Sequence, residues 1–63
     1  MKRKDRVVGA TDLIANALQA LARVNYDNHL QATNNIGAAA VALASAAELL
    51  GKAAMQKEEE ALS

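Results

Sequence analysis

The most informative feature of this 63-residue chain is what it lacks: it has no cysteine, proline, phenylalanine or tryptophan, and tyrosine occurs once, at Tyr26. Without cysteine there is no disulfide, and a single histidine cannot supply a structural zinc site. Chains below about 70–80 residues rarely gain more than a few kcal/mol from one core. The length and composition therefore indicate that the protein is stabilised by association with another chain.

The apolar residues of this chain are mostly small. Hydrophobic residues make up 52% of the sequence, but much of that share is alanine, which buries little area when it packs. Apolar burial must therefore come from contacts between helices and between chains. Alanine is also the strongest helix former, and no proline interrupts the chain, so the sequence predicts an all-α fold.

Charge is balanced overall but not along the chain. The net charge is zero, which argues against a protein whose whole surface binds nucleic acid. Four cations lie within the first six residues, namely Lys2, Arg3, Lys4 and Arg6. An acidic cluster near the other end contains Glu58, Glu59 and Glu60. If the chain folds back on itself, the two clusters meet and offset each other.

The first helix is predicted over about residues 11–32, after a charged, flexible arm over 1–10. Thr11 is a suitable N-cap residue, and Asp12 places a carboxylate in the first turn, where the helix dipole favours it. An apolar stripe then follows the helix at spacings of three and four residues. We expect four members of this stripe to pack inside the fold, namely Ile14, Leu18, Leu21 and Val24.

A turn is predicted at about residues 33–36, and a second helix over about 36–60. The sequence from Thr33 to Gly37 contains two asparagines and a glycine, which tolerate a left-handed helix end or cap the next helix. We therefore predict an antiparallel helical hairpin over 11–63 that assembles into a bundle. The alternative is a single long helix in a coiled coil. It is less favoured because it places Asn25 and His29 in its own contact stripe.

The second helix carries a seam with alternating steps of four and three, the spacing that lets one helix lie along another. Its members are Ile36, Ala40, Leu43, Ala47, Leu50 and Ala54. We interpret this seam as an oligomer interface, in which alanine lets two helix axes approach near the short end of the usual range of roughly 8–10 Å. Because Ala53 lies off the seam, we expect leucine to disrupt assembly more at position 47 than at position 53.

No pattern in the sequence indicates a catalytic, cofactor or metal site. The polar cluster from Tyr26 to His29 contains the one histidine, but the nearest acid, Asp27, lies two positions away on a different helix face. We expect this cluster to be the solvated end of a helix pair. The basic residues of the arm are candidates for phosphate contact, although no aromatic or glycine-rich element accompanies them.

These features predict a non-enzymatic, self-associating helical module: a structural or assembly component of a larger complex, such as a viral particle or filament. The expected partner is another copy or another helical protein, and no small-molecule substrate is expected. One alternative is a regulatory dimer that binds nucleic acid through the basic arm. Another is an inhibitor or adaptor that docks through its alanine-rich face.

The expected location is the cytoplasm or such an assembly, and a membrane span is not expected. The longest apolar run, from Ile36, ends at Glu48 after about a dozen residues, against the roughly 20 that a bilayer requires.

Overall fold

The computed structural model describes residues 1–62 and contains two α-helices in this range. Helix α1 spans Arg3–Arg23 and helix α2 spans His29–Leu62. They pack side by side in opposite directions, which gives a rod with extents of 52 × 15 × 13 Å. The predicted all-α helical hairpin is therefore confirmed. Ser63, the last residue of the hairpin predicted over 11–63, lies outside the described residues.

The two helices meet along a strip that we call the hairpin contact. In both helices its buried and half-buried residues recur at alternating steps of three and four, the spacing of coiled-coil packing. The members from the first half of the chain are Arg3, Arg6, Ala10, Leu13, Ala17, Ala20, Val24 and Asp27. The members from α2 are Ala32, Asn35, Ala39, Ala42, Ala46, Leu49, Ala53 and Gln56.

Small side chains fill the middle of the hairpin contact. Among residues 1–62, every fully buried residue is an alanine, and these are Ala10, Ala17, Ala39, Ala46 and Ala53. Near one end of the contact, a Cβ atom added to Gly9 would lie 3.5 Å from Cδ1 of Leu49. Alanine at the buried positions lets the two backbones approach closely, but little apolar area is removed from water between them.

Polar groups mark both ends of the hairpin contact. At the turn, the side-chain amide of Asn35 donates a hydrogen bond of 2.5 Å to Asp27. At the open end, the guanidinium of Arg3 lies 2.8 Å from the carboxylate of Glu60. The fold thus joins the basic and acidic ends of the sequence, as expected for a chain that folds back. Because each polar group has a specific partner across the contact, these pairs favour one alignment of the two helices.

The arm predicted over residues 1–10 is helical from Arg3 onward, so that boundary was wrong. Thr11 is not an N-cap but lies inside α1, where its hydroxyl donates a hydrogen bond of 2.9 Å to the carbonyl of Val7. The reason is tertiary contact, because Arg6 and Ala10 pack against the second half of α2. Packing of this kind overrides local capping preferences.

The turn was also predicted in the wrong place, since it occupies residues 24–28 rather than 33–36. Helix α1 ends at Arg23, not near residue 32, and α2 begins at His29, not at residue 36. Asn28 caps α2, because its Oδ1 accepts a hydrogen bond of 2.9 Å from the backbone N–H of Gln31. No residue from 1 to 62 has a positive φ angle, so this turn requires no glycine.

Candidate protein interface

The four residues predicted to pack inside the hairpin do not all do so. Val24 belongs to the hairpin contact, and Ile14 is half-buried beside it. Leu18 is 60% exposed and Leu21 is also exposed, so the prediction was wrong for these two. Each lies one residue after a contact alanine, and this offset turns its side chain by about 100° toward the flank of the hairpin.

The six residues predicted as an oligomer interface all lie outside the hairpin contact and are exposed. Each follows a contact residue of α2 by one position. Ile36, Leu43 and Leu50 keep 42–50% of their surface in contact with water, while the three alanines Ala40, Ala47 and Ala54 form a second row beside them. These side chains are available to a partner, and their role as an interface stays a prediction.

Residues from both helices lie on the same side of the hairpin. In two antiparallel helices, positions that follow the contact residues by one step point to the same flank, because reversing a helix also reverses its sense of rotation. We call the resulting surface the apolar face. Its apolar members are Val7, Ile14, Leu18, Leu21, Ile36, Ala40, Leu43, Ala47, Leu50 and Ala54. Thr11 lies in the α1 row between Val7 and Ile14.

The opposite flank of the hairpin is far more polar. A shallow groove between the helices is lined there by Asn35 of α2 and by Asn16, Gln19, Ala20 and Arg23 of α1. Nearer the open end, a second groove is lined by Arg6, Lys52, Met55, Gln56 and Glu59, with Met1. The hairpin as a whole is therefore amphipathic, with one flank suited to burial and the other to water.

Ala53 does not behave as the sequence indicated. It is only 5% exposed and belongs to the hairpin contact, so leucine at this position would strain the hairpin itself. The expectation that leucine at position 53 would be the milder substitution was based on the wrong environment. A control for the apolar face must instead come from the outer side of α2, where Val41 and Ala44 are exposed.

The basic residues of the predicted arm do not form one separate surface. Arg3 is paired with Glu60, and Arg6 is half-buried in the hairpin contact with its Nε atom buried and unpartnered. Lys2 and Lys4 line an open groove that also contains Asp5 and Glu60. Acidic groups therefore lie among these cations, which weakens the local attraction for phosphate.

The polar cluster at the turn has structural roles in this fold. Tyr26 is 90% exposed, Asp27 accepts the hydrogen bond from Asn35, and Asn28 caps α2. His29 is exposed at the start of α2. Within residues 1–62, no group of three or more histidine, cysteine, aspartate or glutamate residues is placed to hold a metal ion.

Helix α2 is long and apolar enough to cross a membrane when judged by length and composition alone, and most of its apolar stretch is not buried in the hairpin. A single helix of this kind is weak evidence for a membrane span. Much of the stretch is alanine, which transfers only a small apolar area out of water. The same unburied surface is equally available to another protein.

The sequence interpretation missed the contribution of α1 to the apolar face. The available signal was the seven-residue spacing of Val7, Ile14 and Leu21, which matches that of Ile36, Leu43 and Leu50 in α2. Only the position of the turn shows that the two rows share a side. The chain matches no family model, no curated protein and no solved structure, so its own residues carry the functional argument.

Proposed function

We propose that this protein is a non-enzymatic, self-associating helical module that acts as a structural or assembly component, and that the apolar face is its interface. The observation that supports this proposal is the distribution of side-chain size. Alanine fills the buried positions of the hairpin, while leucine, isoleucine and valine occupy the exposed flank. Association would remove the larger side chains from water at about 25 cal/mol per Å² of apolar area.

The small size of the hairpin supports the same proposal. A chain of 63 residues has few ways to reach a normal stability, and this one has no disulfide. Its buried side chains are all small, so the contact between α1 and α2 provides only part of the burial that a stable fold needs. A partner that covers the apolar face provides the rest.

The test is the native mass of the protein as its concentration falls, measured by light scattering and native mass spectrometry. We expect an oligomer that dissociates on dilution, with helicity lost in parallel because folding and association are linked. Leu43→Glu places a charge in the interface, and we expect it to weaken association by about 100-fold or more. A helical monomer at every concentration would contradict the proposal.

Val41→Glu is the matched control for this experiment. Val41 lies two residues before Leu43 and is 69% exposed, but it is outside the apolar face. We expect the Val41 variant to associate as the unmodified protein does. If both glutamate variants weaken association equally, charge on α2 is sufficient to explain the effect and the apolar face is not the interface.

A further inference from the structure

We infer that the apolar face binds a second copy of this chain in an antiparallel arrangement, which forms a closed dimer with the two turns at opposite ends. This inference rests on the proposed self-association and specifies its partner and geometry. The reasons are the symmetry of the apolar face, the positions of the nearest charges and the size of the surface.

The α2 half of the apolar face is complementary to its own reverse. Its six positions mirror one another about Ser45, so an antiparallel copy places each large residue opposite an alanine. The resulting pairs are Ile36 with Ala54, Leu50 with Ala40, and Leu43 with Ala47. A large side chain opposite a small one fills the space between two helices without overlap.

The central pair of the α1 half of the apolar face has its midpoint at the same height along the rod. Ile14 and Leu18 lie symmetrically about position 16, and the hydrogen bond between Asp27 and Asn35 aligns the helices so that position 16 lies beside about position 46. A single two-fold axis across the middle of the hairpin therefore serves both helices. It packs α1 on α1 and α2 on α2 of the second copy, which gives an isologous interface. The α1 helices then meet with Ile14 opposite Leu18, so they lie farther apart than the α2 helices, where each large residue faces an alanine.

The charges at the edge of the apolar face distinguish the antiparallel dimer from a parallel one. At the open end the same rows of residues continue to Lys4 and Lys57, whereas at the turn they continue to the neutral residues Asn25 and Thr33. A parallel dimer would bring all four ammonium groups to one end, where the nearby Asp5 and Glu60 offset part of their repulsion. The antiparallel dimer separates the two pairs by most of the 52 Å rod, far beyond the screening length of about 8 Å.

The size and position of the apolar face suit a dimer. The face covers residues 36–54 of α2, about 27 Å at 1.5 Å per residue. It is the central part of a flank whose full extents of 52 × 15 Å correspond to about 800 Å², the amount each partner contributes to a standard stable interface. The face is also centred on the rod, since both Ile36–Ala54 and α2 itself have their midpoints near Ser45. Two copies therefore overlap along their full length, and the interface closes without leaving half of it free.

Distances between spin labels test the arrangement, and the absence of native cysteine allows single attachment sites. A label at Tyr26→Cys marks the turn, and a label at Ala44→Cys marks the middle of the outer side of α2. We expect about 50 Å between the two turn labels and less than about 30 Å between the two central labels, because neighbouring helices lie roughly 8–10 Å apart.

Each other outcome has a distinct meaning. Short distances for both labels show a parallel dimer, which overturns this inference but leaves self-association standing. No measurable distance for either label, together with a monomeric mass, overturns the proposed function as well. A monomer that instead binds phosphatidylcholine vesicles also overturns the proposed function. A mass that grows beyond two copies excludes the closed dimer.

A side-chain exchange provides an independent test of the pairing. Ala47→Leu places two leucines opposite each other in the antiparallel dimer, so we expect dissociation to become about tenfold easier or more. Adding Leu43→Ala in the same chain restores a large residue opposite a small one, and we expect the dissociation constant to return to within about threefold of the original. A double variant that is weaker than either single variant overturns the pairing.

Discussion

The hairpin contact and the apolar face are neighbouring strips of the same two helices, and they differ in the size of their side chains. Alanine occupies every fully buried position of the hairpin contact among residues 1–62, whereas the apolar face carries leucine, isoleucine and valine. A hairpin gains the most from burial when its large residues lie inside, where each buries the most area. This chain places many of them outside.

The difference shows how one short chain can use separate surfaces for two requirements, the alignment of its own helices and the contact with a partner. Alanine in the hairpin contact lets α1 and α2 approach closely, with polar partners at both ends to favour one alignment. In the proposed assembly, the large residues on the apolar face provide the area for a contact with another copy. The hairpin contact would then determine the shape of this surface, and the apolar face would determine how strongly two copies bind.

Enlarging a buried alanine is the most severe way to break this arrangement. Ala46 is 1% exposed in the middle of the hairpin contact, so Ala46→Leu must separate the helices or strain their side chains. Overpacking typically costs about 1–3 kcal/mol, which corresponds to a fall in Tm of roughly 5–20 °C for a domain of this size. Thermal unfolding followed by circular dichroism at fixed protein concentration measures the effect.

Ala44→Leu is the control for this substitution, because Ala44 lies on the exposed outer side of the same helix. Both variants make the same chemical change with similar helix propensity. We expect Ala44→Leu to shift stability by less than about 0.5 kcal/mol. Equal losses in the two variants would mean that the hairpin contact is no more closely packed than the outer surface.

The polar pair at the turn is the next contact in order of expected effect. Asn35→Ala leaves the partly buried carboxylate of Asp27 without the amide that binds it, and we expect a loss of about 1–2 kcal/mol. Asn34→Ala changes an exposed neighbour in the same helix and corrects for the gain in helix propensity. The difference in Tm between the two variants isolates the pair, and a difference near zero would contradict its role in alignment.

The class of the fold could be predicted from the sequence, but the position of the turn could not. Helical spacing of apolar residues is a strong signal, and it is sufficient to predict two helices. The prediction then used Asn34, Asn35 and Gly37 as turn residues, since these tolerate left-handed conformations. The turn in this structure has only negative φ angles and is stabilised by the side chain of Asn28. A turn of this kind needs no glycine, so the position of glycine in the sequence does not locate it.

The candidate site could be predicted in part, for a related reason. The spacing within α2 identified a row of residues that is exposed on one side of the helix, from Ile36 to Ala54. It did not show that α1 contributes Leu18 and Leu21 to the same surface. That conclusion requires the rotation of α1 relative to α2. This rotation depends on the turn and on contacts between residues distant in sequence, and the periodicity of a single sequence shows neither of these.

The ion pair at the open end of the hairpin should have the smallest effect. Arg3 and Glu60 are 2.8 Å apart, but both side chains are substantially exposed, and pairs of this kind contribute about 0.2–1 kcal/mol. Arg3 also lies in the first turn of α1, where the helix dipole disfavours a cation. Removing Arg3 therefore relieves one unfavourable interaction while it loses a favourable one, and the net change should be small.

The difference in Tm between Arg3→Ala and Lys2→Ala measures the contribution of the Arg3–Glu60 pair, because each variant removes one cation at the start of α1. We expect Arg3→Ala to lower Tm slightly more than Lys2→Ala in dilute buffer. In about 1 M salt the screening length falls to about 3 Å, so the difference should largely disappear. A salt-independent difference as large as that for Asn35→Ala would show that the open end aligns the helices as strongly as the turn. The alignment of α1 and α2 would then depend on the ion pair at the open end more than the exposure of its two side chains indicates.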